Sequence, residues 1–396
     1  MFAFHSNHIL PIRLPIHFSD RSRFELIFAQ LGCSIYSVFS RIFLNVHHTP
    51  QFREKRNIKS RQESQELDLQ RMAQLEDLPD EMLEKVFSYL KIGDLIHCGH
   101  VSKRLRNIWN IESLWQSVEL NWLVSYGREI KVQTDFIVFL LDKGCQYLNL
   151  QDVELTGSLE LDKSSKLKRL NLEACVAKRQ VFEEILYSCE GNLQQLLLSF
   201  ARPEPDFDYH YIRRVILRNS KTLQKINIGR LSWLENTSKL NFFSHCHELT
   251  EVRITGGFCD IQNDQLNLMI DNFPPSLLKV DLSLCNNLTD FHIENLTQKC
   301  NKITEISLWG TKVTNQSLIS IVKYLKNSLE VLDLMRCDNI NLDDIFEAVG
   351  SLPKLKYLHY EVHGINYNYA RSVLPGKFCR ACERLKKERP GLFIKD

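Results

Sequence analysis

The chain has 396 residues, of which 44% are hydrophobic and 25% charged, with a formal net charge of +2. That length suits two or three domains, or a small domain joined to an array, and the composition is that of a soluble globular chain. So balanced a charge leaves no long-range field toward nucleic acid or an anionic membrane, and the longest apolar run, residues 31–46, is interrupted by Arg41 and falls short of the roughly 18 residues of a membrane helix.

Residues 1–71 differ from the rest. Pro11, Pro15, scattered histidines and mixed aromatics show no steady period, and residues 51–71 are strongly polar. This reads as a poorly ordered extension and linker. Arg13, Arg21, Arg23 and Arg41, with few acids, give it a weak transit-peptide character. Met72 stands just before the first patterned segment and is a plausible alternative start.

Residues 75–120 read as short helices. Pro79 suits a first helical position, and Asp80 and Glu81 complement the positive end of the helix dipole. Leu83, Phe87 and Leu90 recur at helical spacing, and Met82 and Val86 widen the stripe. Gly93 is expected to break this helix and Asp94 to cap the next. In that second helix Leu95, Cys98, Val101, Leu105 and Trp109 follow one face, with Gly99 inside it at a cost of about 0.5–1 kcal/mol relative to alanine. A third short segment carries Leu114 and Trp115. So small a unit has more apolar surface than it can bury alone, so another protein is expected to cover part of it.

Beyond residue 120 the pattern L-x-x-L-x-L returns at Leu167, Leu193, Leu223, Leu249, Leu277, Ile303, Leu329 and Leu355, after a weaker copy at Cys145. The intervals are 26, 30, 26, 28, 26, 26 and 26 residues, close to the roughly 20–29 of leucine-rich repeats. Each copy predicts a short strand with inward leucines, and the segments after them, such as VFEEILYSC and FHIENLTQKC, have helical spacing. Gly256–Gly257, Asn286–Asn287 and Gly310 fall where strands turn into helices. The expected class is α/β: a solenoid at 121–374 with parallel strands on a concave face, helices outside, and a C-terminal cap at 375–396.

The chain has 12 cysteines. Cys175, Cys285 and Cys337 stand three residues past a final strand leucine, and Cys189, Cys246 and Cys300 just before the next strand. Recurring slots one repeat apart predict reduced, buried thiols in a cytoplasmic and/or nuclear protein, rather than disulfides or a metal. The Cys379–Cys382 pair lacks a second ligand pair, and His97, Cys98 and His100 cannot all face one way on a helix. No P-loop, nucleophile elbow or dinucleotide fingerprint appears. No cofactor, metal or catalytic residue is expected.

The run LPDEMLEKVFSYL, then DL, VSKRLR and LW, closely resembles the F-box, although Leu105 stands where that family most often has tryptophan. With the repeats it resembles the F-box/leucine-rich-repeat family of the cysteine-containing subtype, over residues 75–396. The resemblance implies docking on a Skp adaptor, and through it on cullin and RING subunits, by Leu78, Pro79, Met82, Leu83, Val86, Phe87, Leu90, Leu95, Val101, Trp109 and Trp115. It implies a non-catalytic subunit of an SCF-type ubiquitin ligase that directs an unidentified protein substrate to ubiquitination and proteasomal degradation. The alternative is a repeat scaffold outside the ubiquitin system, organellar if residues 1–45 act as a transit peptide; ligand-assisted recognition, as in the plant hormone receptors of this family, has no fingerprint here. On the concave face, Arg253, Asp281, Trp309, Asp333, Met335 and His359 are the candidate substrate-binding residues. Trp309 beside Met335 is a hot-spot candidate and the others orienting polar contacts. The long interval after Leu193 holds FARPEPDFDYHYIRR, read as an elaborated loop at one rim.

Overall fold

A computed structural model describes residues 78–120, 130–161, 165–189, 191–203, 210–229, 240–255, 262–360, 384–385 and 387–395. The expectations for residues 1–71, Met72, Gly256–Gly257 and Cys379–Cys382, and for most of the expected cap, lie outside these residues. The chain divides into two units, one ending at Glu119 and including Lys143–Cys145, the other holding Leu120–Asp142 and everything from Gln146.

In the first unit, helix α1 spans Asp80–Phe87, α2 Ile92–Cys98 and α3 Lys103–Trp109, followed by a 3-10 turn at Glu112–Trp115 and a short strand β1 at Ser117–Glu119. Helices α1 and α2 both pack on α3. Leu83, Val86, Phe87, Leu95, Cys98, Leu105, Ile108, Trp109 and Trp115 are buried. Trp115 donates its Nε1 hydrogen to the Trp109 carbonyl at 2.6 Å, and the two rings meet edge to face at 5.1 Å.

Three local expectations are corrected here. Gly93 does not end a helix: α2 starts from Lys91, and Gly93 and Asp94 lie in its first turn, where the Asp94 charge still suits the dipole. The expected second helix is two helices. Ser102 is extended and accepts the Leu105 amide, capping α3 and dividing the stripe between Cys98 and Lys103. Gly99, the α2 C-cap, is no flaw, because a Cβ there would lie 2.9 Å from Trp109 Cγ. The glycine is the floor on which that indole rests.

The second unit opens with β2 (Ile130–Gln133) and α4 (Thr134–Asp142), then strands β3 (Tyr147–Asn149), β4 (Val153–Thr156), β5 (Arg169–Asn171) and β6 (Val176–Ala177) and helix α5 (Arg179–Ser188). Strands β7 (Gln195–Leu197) and β8 (Arg202–Pro203), α6 (His210–Arg218) and β9 (Lys225–Asn227) follow. After a 3-10 turn at Leu240–His245 come β10 (Glu251–Arg253), α7 (Asn263–Asp271), β11 (Lys279–Asp281), α8 (Asp290–Lys299) and β12 (Glu305–Ser307). The series ends with α9 (Asn315–Leu325), β13 (Val331–Leu334), α10 (Leu342–Gly350), β14 (Tyr357–Tyr360) and β15 (Phe393–Lys395). The tail of the expected loop insert is thus helix α6. Its apolar residues Ile212, Val215 and Ile216 are buried, so this repeat keeps its helix despite the longer interval.

The strands stack in parallel in the order β3-β5-β7-β9-β10-β11-β12-β13-β14-β15. Their register aligns Leu148, Leu170, Leu196, Ile226, Val252, Val280, Ile306, Leu332, Leu358 and Ile394 in one row. Every one of them is buried. This is the leucine-rich-repeat solenoid, of α/β class. A second parallel sheet, β2-β4-β6-β8, was not expected.

A left-handed residue recurs two positions past the last leucine of six repeat motifs: Asp152, Ala174, Phe200, Leu284, Gly310 and Arg336 have φ between 53° and 66°. Non-glycine residues pay roughly 1–2 kcal/mol for this conformation. The inter-repeat ladder enforces it. Asp152 N–H donates to the Glu173 carbonyl, Ala174 to Ser199, Phe200 to Gly229, Leu284 to Trp309 and Gly310 to Met335. Glycine takes this conformation without strain at Gly310, where a Cβ would also meet Leu284 Cδ2 at 2.5 Å and require that side chain to shift.

Helices are stapled across repeats as well. Asp290, in the first turn of α8, accepts the Thr314 amide and hydroxyl at 2.8 Å and the Ser317 hydroxyl at 2.5 Å, which closes the start of α9. Partial burial pushes the Asp290 carboxyl up, but these donors outweigh it and hold it below the usual carboxylate range. His292 is buried, bonded through Nδ1 to Thr289, and its burial holds it below the ordinary histidine value.

Two outcomes follow from these contacts. Gly99→Ala is expected to destabilise the chain by about 1–3 kcal/mol, the range for overpacking, although helix propensity alone would make it stabilising; the denaturation midpoint of the first unit gives the sign. Asp290 and His292 both titrate below their unfolded values, so their stabilisation is complete above neutral pH. It is lost on acidification, first as His292 charges below about pH 6.5 and then as Asp290 is protonated below about pH 4. Asp290→Asn should flatten the lower part of the melting-temperature profile; a profile unchanged from wild type would show the staple to be inert.

Candidate functional site

In the helical unit the structure divides the predicted adaptor-binding set into two groups. Leu83, Val86, Phe87, Leu95, Trp109 and Trp115 are 6% exposed or less and form the unit's own core. Met82 is 42% and Val101 48% exposed, Pro79 is exposed, and Leu78 and Leu90 are half-buried. The first group shapes the module, and the second is what a partner can touch. Met82 lies on α1 and Val101 in the turn before α3, so the exposed apolar positions come from two elements. Tyr89, not singled out in the sequence, is 54% exposed beside α1 with the Lys85 ammonium 5.3 Å from its ring centroid.

One residue that sequence reasoning missed ties the edge together. Arg104, on α3, donates Nη2 to the Leu78 carbonyl at 2.6 Å and to Asp80 Oδ1 at 2.7 Å, with Nε on the same oxygen at 3.1 Å. Asp80 lies 24 positions away, so no local charge pattern marks the pair.

Beside these residues, His97 and His100 are exposed and Cys98 is buried. Burial and the Asp94 charge push the Cys98 thiol up to about 11. Burial, with Arg106 and His97 nearby, lowers His100.

In the repeat unit, the outward strand positions stand in one register row: Asn149, Asn171, Leu197, Asn227, Arg253, Asp281, Ser307, Asp333 and His359. Four of the six predicted substrate residues belong to it. Trp309 and Met335 occupy the next outward position of consecutive repeats and are half-buried.

The row has a structural role that sequence reading overlooked. Asn149, Asn171, Asn227, Asp281 and Asp333 each accept, through Oδ1, the amide two residues on, at 2.9–3.3 Å. These Asx turns close each strand before the left-handed residue. Asp281 and Asp333 are therefore not free carboxylates. The Ser283 hydroxyl donates to Asp281 Oδ1 and lies 2.9 Å from the Ser307 hydroxyl. Ser307 in turn donates to Asp333 Oδ2 at 3.1 Å, and His359 Nδ1 is 4.0 Å from that oxygen. Asp281, Ser307, Asp333 and His359 are brought into one network. Arg253 stands apart, exposed and paired with Glu251 at 2.8 Å. The Arg336 guanidinium lies 5.9 Å from the Trp309 ring centroid, and the Trp309 Nε1 hydrogen is buried without an acceptor among the described residues.

Basic and acidic side chains pair along the preceding row, Lys225 with Glu251 and Lys279 with Glu305, and Glu330 holds Lys356. The cysteine slots are interior. Cys175, Cys189, Cys246, Cys285, Cys300 and Cys337 are buried thiols, none of them in a disulfide. Burial pushes the Cys175, Cys189 and Cys246 thiols up to about 12 and Cys300 to about 11, so they are poor nucleophiles. Cys285 and Cys337 donate to carbonyls of the preceding repeat, Ile254 at 3.2 Å and Leu308 at 3.0 Å. A polar cleft of about 280 Å³ lies among Asn263, Asn286, Asn287, Thr289 and Lys312 and contains none of the predicted residues.

An F-box-like family model matches residues 75–121. A Candida glabrata protein described as an antagonist of the mitotic exit network is 35% identical over 143 residues, 33% of this chain and 27% of the relative's length. A putative FBD-associated F-box protein of Arabidopsis thaliana is 24% identical over 359 residues, 79% of this chain and 78% of the relative. A crystal structure of the yeast Rad7 and Elc1 complex aligns with a TM-score of 0.41 at 15% identity, over 85% of this chain and 93% of the matched one. Residues 75–121 are an F-box-like domain, followed in this chain by a leucine-rich-repeat solenoid.

Proposed function

We propose that the chain is a non-catalytic, substrate-recruiting subunit of an SCF-type ubiquitin ligase. The F-box unit binds a Skp-type adaptor, and the adaptor brings cullin and RING subunits. The outward strand face of the array holds a protein substrate, which is ubiquitinated and degraded by the proteasome. The chemistry belongs to the partners, and this chain contributes proximity, raising the effective concentration of a substrate lysine.

The observation that carries the reading is an F-box-like domain whose apolar side chains divide into a closed core and an exposed edge of Pro79, Met82 and Val101. Apolar surface left open on so small a unit favours a protein partner. On the array, half-buried Trp309 and Met335 beside the Asp281–Ser307–Asp333–His359 network supply an aromatic anchor next to ordered polar groups, as recognition surfaces do. We place the protein in the cytoplasm and/or nucleus, a reading supported by buried cysteine thiols without disulfides among the described residues.

Full-length protein should co-purify with the Skp-type adaptor and cullin, and Leu78→Ala with Pro79→Ala should abolish that capture while leaving the melting temperature of the array unchanged. A wild type that captures neither subunit would be incompatible with the ligase reading.

A further inference from the structure

We infer that Arg104 is a positioning residue for adaptor docking: it holds the Leu78–Pro79 lead-in against α3 in the geometry a partner meets. The inference rests on the adaptor reading above.

Helix α1 begins without a side-chain cap. Pro79 occupies the N-cap at φ −55° and ψ 152°, and proline has no side-chain acceptor to offer. Its carbonyl accepts the Met82 and Leu83 amides, which fastens the helix to Pro79 but leaves the residue before it unsecured. Among the described residues, the Leu78 carbonyl has one hydrogen-bond donor, the Arg104 guanidinium, at 2.6 Å. The same nitrogen reaches Asp80 Oδ1 at 2.7 Å and Nε reaches it at 3.1 Å, so the planar fork spans both sides of Pro79.

Exposure decides what this clamp is for. The Asp80 side chain is 64% and that of Arg104 39% exposed, and ion pairs so open to water add little to stability. The clamp fixes two relations: the direction in which Leu78 and Pro79 leave α1, and their position relative to α3, next to the turn that carries Val101. An edge drawn from two elements is complementary to a partner only while they keep their spacing. Without Arg104 the partner would have to order the lead-in as it binds, and that ordering cost appears as weaker affinity.

The test uses the full chain and purified Skp-type adaptor. Arg104→Ala should weaken the dissociation constant about tenfold, the loss expected for one charge-assisted bond to a carbonyl, with the melting midpoint unmoved. Arg104→Lys, which keeps the charge without the fork, should recover little of it. In the Leu78→Ala background, Arg104→Ala should cost less than in the wild type, because part of its effect passes through that side chain. In the free protein, amide exchange at Met82 and Leu83 should be several-fold faster in Arg104→Ala. Equal affinity of wild type and Arg104→Ala overturns the inference while the adaptor reading stands. Additive losses in the double mutant overturn it too, by making Arg104 a direct contact. A wild type with no affinity for the adaptor removes the adaptor reading and the docking role together, and faster exchange would then mark Arg104 as a helix anchor only.

Discussion

Everything in the repeat unit depends on the buried row from Leu148 to Ile394. No single repeat encloses its own apolar face. Each leucine, isoleucine or valine of the row is covered by its neighbours before and after, so the stabilisation is shared between adjacent repeats. The register that stacks these residues also stacks the residues on either side of them, turned the other way. An outward row with one residue type per repeat is therefore a consequence of the core, and the candidate binding surface is the far side of the same pairing.

That coupling explains why the outward row is less free to evolve a binding site than its exposure suggests. Where it holds asparagine or aspartate, the side chain ties down the turn that follows, and after Asn149, Asn171 and Asp281 the next repeat's carbonyl ties down the left-handed residue. Positions without an Asx turn, Arg253, Ser307 and His359, carry side chains that the fold does not consume in this way, as do Trp309 and Met335 one step further out. Recognition specificity has most room there. Asp281 and Asp333 contribute through the oxygen, or the hydroxyl relay, that the turn leaves over.

The solenoid was legible in the sequence because its signal is repeated: eight copies of one pattern at nearly constant spacing leave little ambiguity about strands, helices or class. Features set by a single contact were not. Gly99 reads as a defect until Trp109 is seen above it, and the division between α2 and α3 rests on one Ser102 hydroxyl beneath an unbroken apolar period. The second sheet escaped notice because strands such as β6 and β8 are too short to show alternation. Among the site residues, sequence marked apolar positions but could not tell core from edge. A period of 3.6 says which residues share a face, not whether that face is closed by the unit's own helices.

In the helical unit the distinction between core and edge decides how substitutions should be interpreted. Leu83, Phe87 and Trp115 are closed off by the module itself. Their loss would open a cavity and unfold the helices, and any partner would then be lost for reasons unrelated to contact. Pro79, Met82 and Val101 are open, so their loss removes surface and leaves the fold. Arg104 stands between these cases. It is neither core nor apolar edge, yet its hydrogen bonds to Leu78 and Asp80 determine where the edge begins. A small module of this kind can keep its interior for stability and its rim for a partner only if something fixes the rim to the interior. Here that connection is polar, exposed and formed by residues far apart in the sequence.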